Sequence, residues 1–316
     1  HFAPNLTELH LSDWSRITPT DFEHLGAMTQ LRSVRLQAIL AFPDASLSSL
    51  HALNLTTLDL TDCSSLSVTD ISRCVAKQAN LTRLTLRGCF LVDGRLTTSL
   101  PSSLELLNLD YCALLTDLDL IQMLRPLYRL TSLSLVGLTQ LSGSFLIIFD
   151  DDVSESESDL VERDADFAHM PLSPREEPEW PLHEKSRYYY HDTTPSLTAL
   201  NLSSCRKLRN SALSHLRHHT TLLDLNLSHC LRVSRRGIVY ISYMRHLQRL
   251  NIQHCDQITD KALKALQHLP DLTSLNLSDC DTVDTTGIKM LSHLTGLQEL
   301  WLDRCDVLTN GAIRSL

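Results

Sequence analysis

The chain has 316 residues, 43% of them apolar, and a formal charge of -9 at neutral pH. No apolar run approaches the roughly 18 residues that a membrane-spanning helix needs, and the acidic balance argues against a general nucleic-acid binder, which leaves proteins as the expected partners. A length that ordinarily divides into two domains can also be one elongated array of repeats.

A frame L-x-x-L-x-L opens the chain at Leu6 and recurs at a nearly constant step from Leu31, Leu55, Leu81, Leu104 and Leu130. Within each unit two leucines flank one residue, a period of 2 that predicts a short strand with the leucines inward. In the first unit Thr20 and Glu23 have the spacing of a capping box, which predicts a helix start there. The ninth position of these units reads Trp14, Ile39, Cys63, Cys89, Cys112 and Leu138, and all six are expected to be buried. Cys74 lies off this column.

The next frame begins only at Leu197, so a segment on the order of 40 residues is inserted beyond the ordinary repeat that starts at Leu130. Residues 150–195 hold 14 Asp or Glu against 4 Lys or Arg, with Pro171, Pro174, Pro178 and Pro181, the composition of a solvated or disordered segment. Ser154 and Ser156 each precede an acidic residue by three positions, the pattern of an acidophilic phosphorylation site. The expected organisation is repeats 1 to 6 over residues 1–149, the acidic insertion over 150–195, and repeats 7 to 11 over 196–316.

The second half repeats L-x-x-L-x-L-x-x-C from Leu197, Leu222, Leu247, Leu272 and Leu297, with Cys205, Cys230, Cys255, Cys280 and Cys305 evenly spaced. Stacked on parallel strands about 4.8 Å apart, these side chains point the same way and sit too far apart to bridge, so they read as free buried thiols. Free thiols imply a reducing compartment, cytosol or nucleus. After each cysteine come apolar trios such as Leu263, Leu266 and Leu269, or Ile238, Ile241 and Met244, which predict a helix on the convex side. The fold class is therefore α/β, a solenoid with parallel strands on the concave face and helices on the convex face. The six sequons, at Asn5, Asn54, Asn80, Asn201, Asn226 and Asn276, follow from the repeat itself. With His1 at the start and Leu316 ending an unfinished helix pattern, the chain is expected to be a piece of a longer one.

The segments LTSLNLSDC, LQRLNIQHCDQITDKALKAL and LELLNLDYCALLTDLDL resemble the cysteine-containing leucine-rich repeats of the F-box leucine-rich-repeat proteins, substrate receptors of cullin-RING ubiquitin ligases. The resemblance covers nearly everything outside the insertion. It implies a substrate-holding solenoid that reaches a cullin-complex adaptor through a domain not present in this chain. The repeats are also similar to those of a yeast-type antagonist of mitotic exit and of a damage-recognition subunit of nucleotide excision repair. A scaffold or repair-complex subunit without a ubiquitin role is the alternative they imply.

The residue between the two strand leucines reads Asn201, Asn226, Asn251, Asn276 and Trp301 in the last five units. Stacked amides can hydrogen-bond along a ladder, or they can form a polar binding strip anchored by Trp301, a residue type favoured in binding hot spots. His229, His254 and Asp279, one position before the cysteines, are expected on adjacent strands as part of the same concave surface. Three strands span roughly 10 Å, too far for easy convergence on zinc, so no metal is expected. Arg206, Lys207, Arg209, Arg232, Arg235 and Arg236 suggest a basic surface. Arg217, Arg245 and Arg249 extend it, with Asp224 as the one acidic residue between Cys205 and Arg249. Arg35, Arg83 and Arg87 allow a less favoured reading, a basic concave pocket for an anionic small molecule. No catalytic motif or phosphate-binding glycine loop is present, so neither an enzyme nor a cofactor is expected.

Overall fold

The computed structural model describes residues 5–14, 18–39, 42, 46–150, 195–217, 219–308 and 310–313. Eleven strands form one parallel sheet in strict sequence order. They are β1 (Glu8–Ser12), β2 (Ser33–Gln37), β3 (Thr57–Asp59), β4 (Arg83–Thr85), β5 (Leu106–Asn108) and β6 (Ser132–Ser134), followed by β7 (Ala199–Asn201), β8 (Asp224–Asn226), β9 (Arg249–Asn251), β10 (Ser274–Asn276) and β11 (Glu299–Trp301). Register follows the leucine frame, with Leu133 opposite Leu200 and Ser134 opposite Asn201, so the long step from Leu130 to Leu197 leaves no break between β6 and β7. Apart from its end residues Asp150 and Pro195, the acidic segment, with Ser154 and Ser156, lies outside the described residues.

Convex-side helices are α1 (Pro19–Gly26), α2 (Val68–Val75), α3 (Asp117–Leu124), α4 (Asn210–Leu213), α5 (Arg235–Ile241), α6 (Asp260–Leu263), α7 (Thr285–Met290) and α8 (Asn310–Ile313). The sixth unit carries a 3₁₀ turn at Ser144–Phe149, and the second and fourth carry 3₁₀ turns at Ser46–Ala52 and Gly94–Ser99 with no α-helix beside them. These are the short units, from Leu31 to Leu55 and from Leu81 to Leu104, whereas the units that hold α1, α2 and α3 are longer. A 3₁₀ helix climbs about 2.0 Å per residue against 1.5 Å for an α-helix, so the shorter units cross the convex side with fewer residues.

The core is one continuous column of leucines, with Leu58, Leu84, Leu107, Leu225 and Leu275 fully buried. Ile39 and Leu138 are buried in the cysteine column as expected. Trp14 is not, being 47% exposed. It follows β1, the first strand of the sheet among the described residues. The first helix also starts earlier than the Thr20 and Glu23 reading. Thr18 is its N-cap, its backbone N–H donates to the Asp21 carboxylate at 2.8 Å, and its hydroxyl accepts from the Asp21 N–H. Pro19 stands at N1, where a missing N–H costs nothing, and α3 repeats the same box with Thr116 and Asp119.

Candidate functional site

Asx turns end six of the strands, β3, β5 and β7 to β10. The side-chain oxygens of Asn201, Asn226, Asn251 and Asn276 accept from the backbone N–H two residues on, at 3.0, 2.9, 3.0 and 2.9 Å. Asp59 and Asn108 do the same for Thr61 and Asp110. The asparagines are therefore in one register column, as the repeat requires, but they do not bond to one another as a ladder. A side-chain carbonyl that finds its own backbone N–H has no need of the neighbouring amide. With the oxygens committed, the side-chain N–H groups of these four residues face the concave side, and no partner for them lies among the described residues.

Immediately after each Asx turn the backbone turns left-handed. Asp13, Ala38, Asp62, Gly88, Tyr111, Gly137, Ser204, His229, His254, Asp279 and Arg304 all have φ between 52° and 73°. This eleven-residue column is the feature that leucine and cysteine spacing does not reveal. In the first ten of these it aims the N–H at the carbonyl of the next unit, as from His229 to Gln253 at 2.8 Å and from His254 to Ser278 at 2.9 Å. The cysteine that follows then reaches the other way. Cys230 donates its thiol to the carbonyl of Leu202 at 3.1 Å and Cys255 to that of Leu227 at 3.2 Å, one unit back. All nine cysteines are free and buried, and burial pushes the thiols up, Cys205 and Cys255 to about 12.

His229, His254 and Asp279 are thus adjacent, but on the rim beyond the strand ends and not on the strands themselves. The two imidazoles lie 4.8 Å apart, and partial burial followed by the neighbouring ring holds His229 below the ordinary histidine range. The Asp279 carboxylate is held by Gln253 at 2.8 Å and by Arg304 at 2.7 Å, with its pKa lowered first by the Gln253 hydrogen bond. Among the described residues no group of three or more His, Cys, Asp or Glu is placed to hold a metal ion.

The basic residues do not share one face. Arg206, Lys207, Arg209 and Arg232 are exposed on the turns after the cysteines, and Arg235 and Arg236 start α5 on the convex side, half-buried. Arg217, counted with them, is buried, and Arg249 lies on β9 in an ion pair with Asp224 at 2.9 Å. Helix and strand alternate along the chain, so charges close in sequence are distributed around the solenoid. Arg35, Arg83 and Arg87 likewise occupy three different columns. Arg83 donates to Thr57 at 3.1 Å, and Arg87 stands 5.4 Å over the Tyr111 ring.

On the concave wall, Asp224, Asn226, Arg249, Asn251, Ser274, Asn276 and Trp301 line an open depression of about 220 Å³. That is below the roughly 300 Å³ at which small-molecule sites begin, and it suits one or two side chains of a larger partner. Trp301, 41% exposed on the edge strand β11, forms one wall. None of the helices among the described residues is long and apolar enough to cross a membrane.

A search of curated proteins finds no match to the sequence. Residues 243–266 and 268–292 match a family model described as Leucine Rich repeat. Among solved structures, a chain of the yeast Rad7 and Elc1 complex is similar at 17% identity and a TM-score of 0.53, over 98% of this chain and 78% of that one. The Legionella pneumophila leucine-rich-repeat protein LegL7 follows at 16% identity and a TM-score of 0.49, over 98% and 96% of the two chains. An internalin from Listeria monocytogenes is 18% identical at a TM-score of 0.48, over 98% and 84%. The fold is a leucine-rich-repeat α/β solenoid, eleven parallel strands on its concave side and helices on its convex side.

Proposed function

We propose that this chain is a protein-recognition module that grips a segment of a partner on its concave wall, and that in the full protein it captures substrates for a ubiquitin ligase. The observation that carries the first part is the row from Asn201 to Trp301. Four asparagines have their oxygens locked by Asx turns, so their N–H donors are preorganised before any partner arrives. Preorganised donors lose little entropy on binding, and an exposed tryptophan at the end of the row supplies apolar area. The depression lined by Asn226, Asn251, Asn276 and Trp301 is the size of one or two side chains.

The ubiquitin-ligase role rests on the resemblance of the repeats to F-box leucine-rich-repeat receptors. That a structural neighbour of the same fold was crystallised as a complex with Elc1 supports reading this chain as a complex subunit. Affinity purification of the full-length protein, followed by mass spectrometry, tests it. Recovery of cullin-complex subunits is expected, and a stable complex without them makes the protein a scaffold instead. Against a substrate so recovered, Trp301→Ala is expected to weaken binding by about 2 kcal/mol. An unchanged affinity, with the fold intact, reduces Trp301 to packing at the sheet edge.

A further inference from the structure

The repeats provide their own control for what a surface position needs. The two residues after each cysteine position occupy equivalent places on the strand-exit rim from the third unit onward, and five of these nine units fill both places with polar side chains. They include Ser64 and Ser65 in the third unit, Asp256 and Gln257 in the ninth, and Asp281 and Thr282 in the tenth. The fourth and fifth units break this pattern in succession, with Phe90 at 54% exposure, Leu91 beside it, and Leu114 at 53%, whereas Leu231 and Val307, apolar at these places in the eighth and eleventh units, each stand beside a polar residue. Architecture does not ask for these apolar groups, since neighbouring units fold without them.

Tyr111 joins the same patch. Its φ of 61° places a bulky aromatic residue in the left-handed region, where the two flanking units use Gly88 and Gly137. A Cβ at Gly137 would come within 2.6 Å of Tyr111 Cδ1, so the ring lies over that glycine and remains exposed on its other side. The same φ is met by Ala38, Ser204 and Arg304 in other units, so what sets this unit apart is the exposed ring and not the backbone.

Along the rim the character then changes. The sixth unit carries Thr139 and Gln140, and Gln140 accepts from Lys207 of the seventh at 2.8 Å, which joins the apolar part to a basic one. Arg206, Lys207 and Arg232 follow, all exposed. From the fourth unit to the eighth is four strand spacings, roughly 20 Å.

We propose that this rim, from Phe90 to Arg232, is a second docking surface, for a partner-protein segment with large apolar side chains at one end and aspartate or glutamate at the other. Apolar anchors bury Phe90, Leu91, Tyr111 and Leu114, and the carboxylates meet the guanidinium and ammonium groups. About six extended or thirteen helical residues span the distance.

Panning a random peptide library of about 16 residues, long enough for either conformation, against the immobilised chain tests this. The enriched peptides are expected to combine apolar and acidic residues. Their affinity is expected to fall at least about tenfold in the variant Phe90→Ser with Leu114→Ser, which copies the serines of the third unit and so leaves the melting temperature near that of the parent. Arg206→Glu with Lys207→Glu weakens binding in a manner that added salt diminishes. Trp301→Ala leaves it unchanged, which separates this surface from the concave wall. The proposal is overturned if no peptides enrich over the double-serine variant, or if those that do lack acidic residues. It is also overturned if sedimentation shows self-association that the double-serine variant loses, because the patch then joins two copies of this chain.

Discussion

The thiol of Cys255 donates to the carbonyl oxygen of Leu227, 3.2 Å away and one unit back along the array. The same carbonyl accepts the Cys230 N–H at 3.1 Å, so the thiol is its second donor and its loss leaves no orphaned oxygen. Cys255→Ala removes the donor and the sulfur volume, and is expected to cost about 1 to 2 kcal/mol. Cys255→Ser keeps a donor aimed at that carbonyl and is expected to cost less than Cys255→Ala. Urea unfolding of the two variants decides between them. If serine is the worse of the pair, the cysteine acts as an apolar filler and the hydrogen bond carries nothing.

Alkaline pH should destabilise the fold through the same column. Burial raises the thiol pKa of Cys112, Cys205 and Cys255 from an ordinary 9.0 to about 12. A raised folded-state pKa means that the unfolded chain gives up its protons first. The stabilisation is fully present below about pH 9 and is lost as pH rises towards 12. Melting temperatures measured from pH 8 to pH 11 are expected to fall, with a shallower slope in Cys255→Ala. A polar alkylating reagent at neutral pH is expected to label native thiols slowly. Equal slopes for parent and variant, or rapid labelling of all nine thiols, would refute the buried column.

Gly237 offers a prediction whose sign is unusual. In an exposed helix glycine to alanine gains up to about 1 kcal/mol, but here an added Cβ would sit 2.8 Å from Asn210 Oδ1 and 2.9 Å from Leu213 Cδ1. The Asn210 oxygen is held there by the N–H groups of Ser234 and Gly237, at 2.9 and 3.0 Å, so one unit caps the helix start of the next. Gly237→Ala is expected to destabilise by about 1 to 2 kcal/mol, and Asn210→Ala by about the same through three lost bonds, the third from its own amide N–H to Ser234 Oγ at 3.0 Å. Because the two residues share one contact, the double variant should cost less than the sum, with a coupling near 1 kcal/mol. Gly237→Ala raising the melting temperature would show that the two units can part without penalty.

Strand positions, register and the buried cysteine column were legible because they depend on period and side-chain class alone. Leu58 and Leu225 face inward for the same reason in any unit. The left-handed column was hidden because its occupants share no chemistry. Gly88 and Gly137 signal it, but Arg304 and His254 adopt the same φ with nothing in the local sequence to announce it. The asparagine row was visible as a row, yet its bonding could not be read, since an amide satisfies its own turn or its neighbour with equal ease until φ and ψ are known. Arg217 looked like surface in a run of basic residues and is buried, because which convex-side residues face inward depends on whether the turn is α or 3₁₀.

Tyr111 is the position where stability and function should separate. A left-handed backbone costs an ordinary side chain roughly 1 to 2 kcal/mol relative to glycine, which the flanking units avoid with Gly88 and Gly137. Against that, Tyr111→Gly gives up the ring's contact with Gly137 and Arg87 and makes the unfolded chain more flexible, worth about 1 kcal/mol. The two nearly offset, so the substitution is expected to change stability by less than about 1 kcal/mol although it deletes the largest side chain on its surface. Peptide binding at the rim, in contrast, should drop with the loss of an aromatic anchor. Parallel chemical unfolding and binding measurements on Tyr111→Gly separate the two effects. A destabilisation beyond about 2 kcal/mol with unchanged binding would mean that the tyrosine packs the array, as a core residue does, and that its left-handed backbone serves the fold alone.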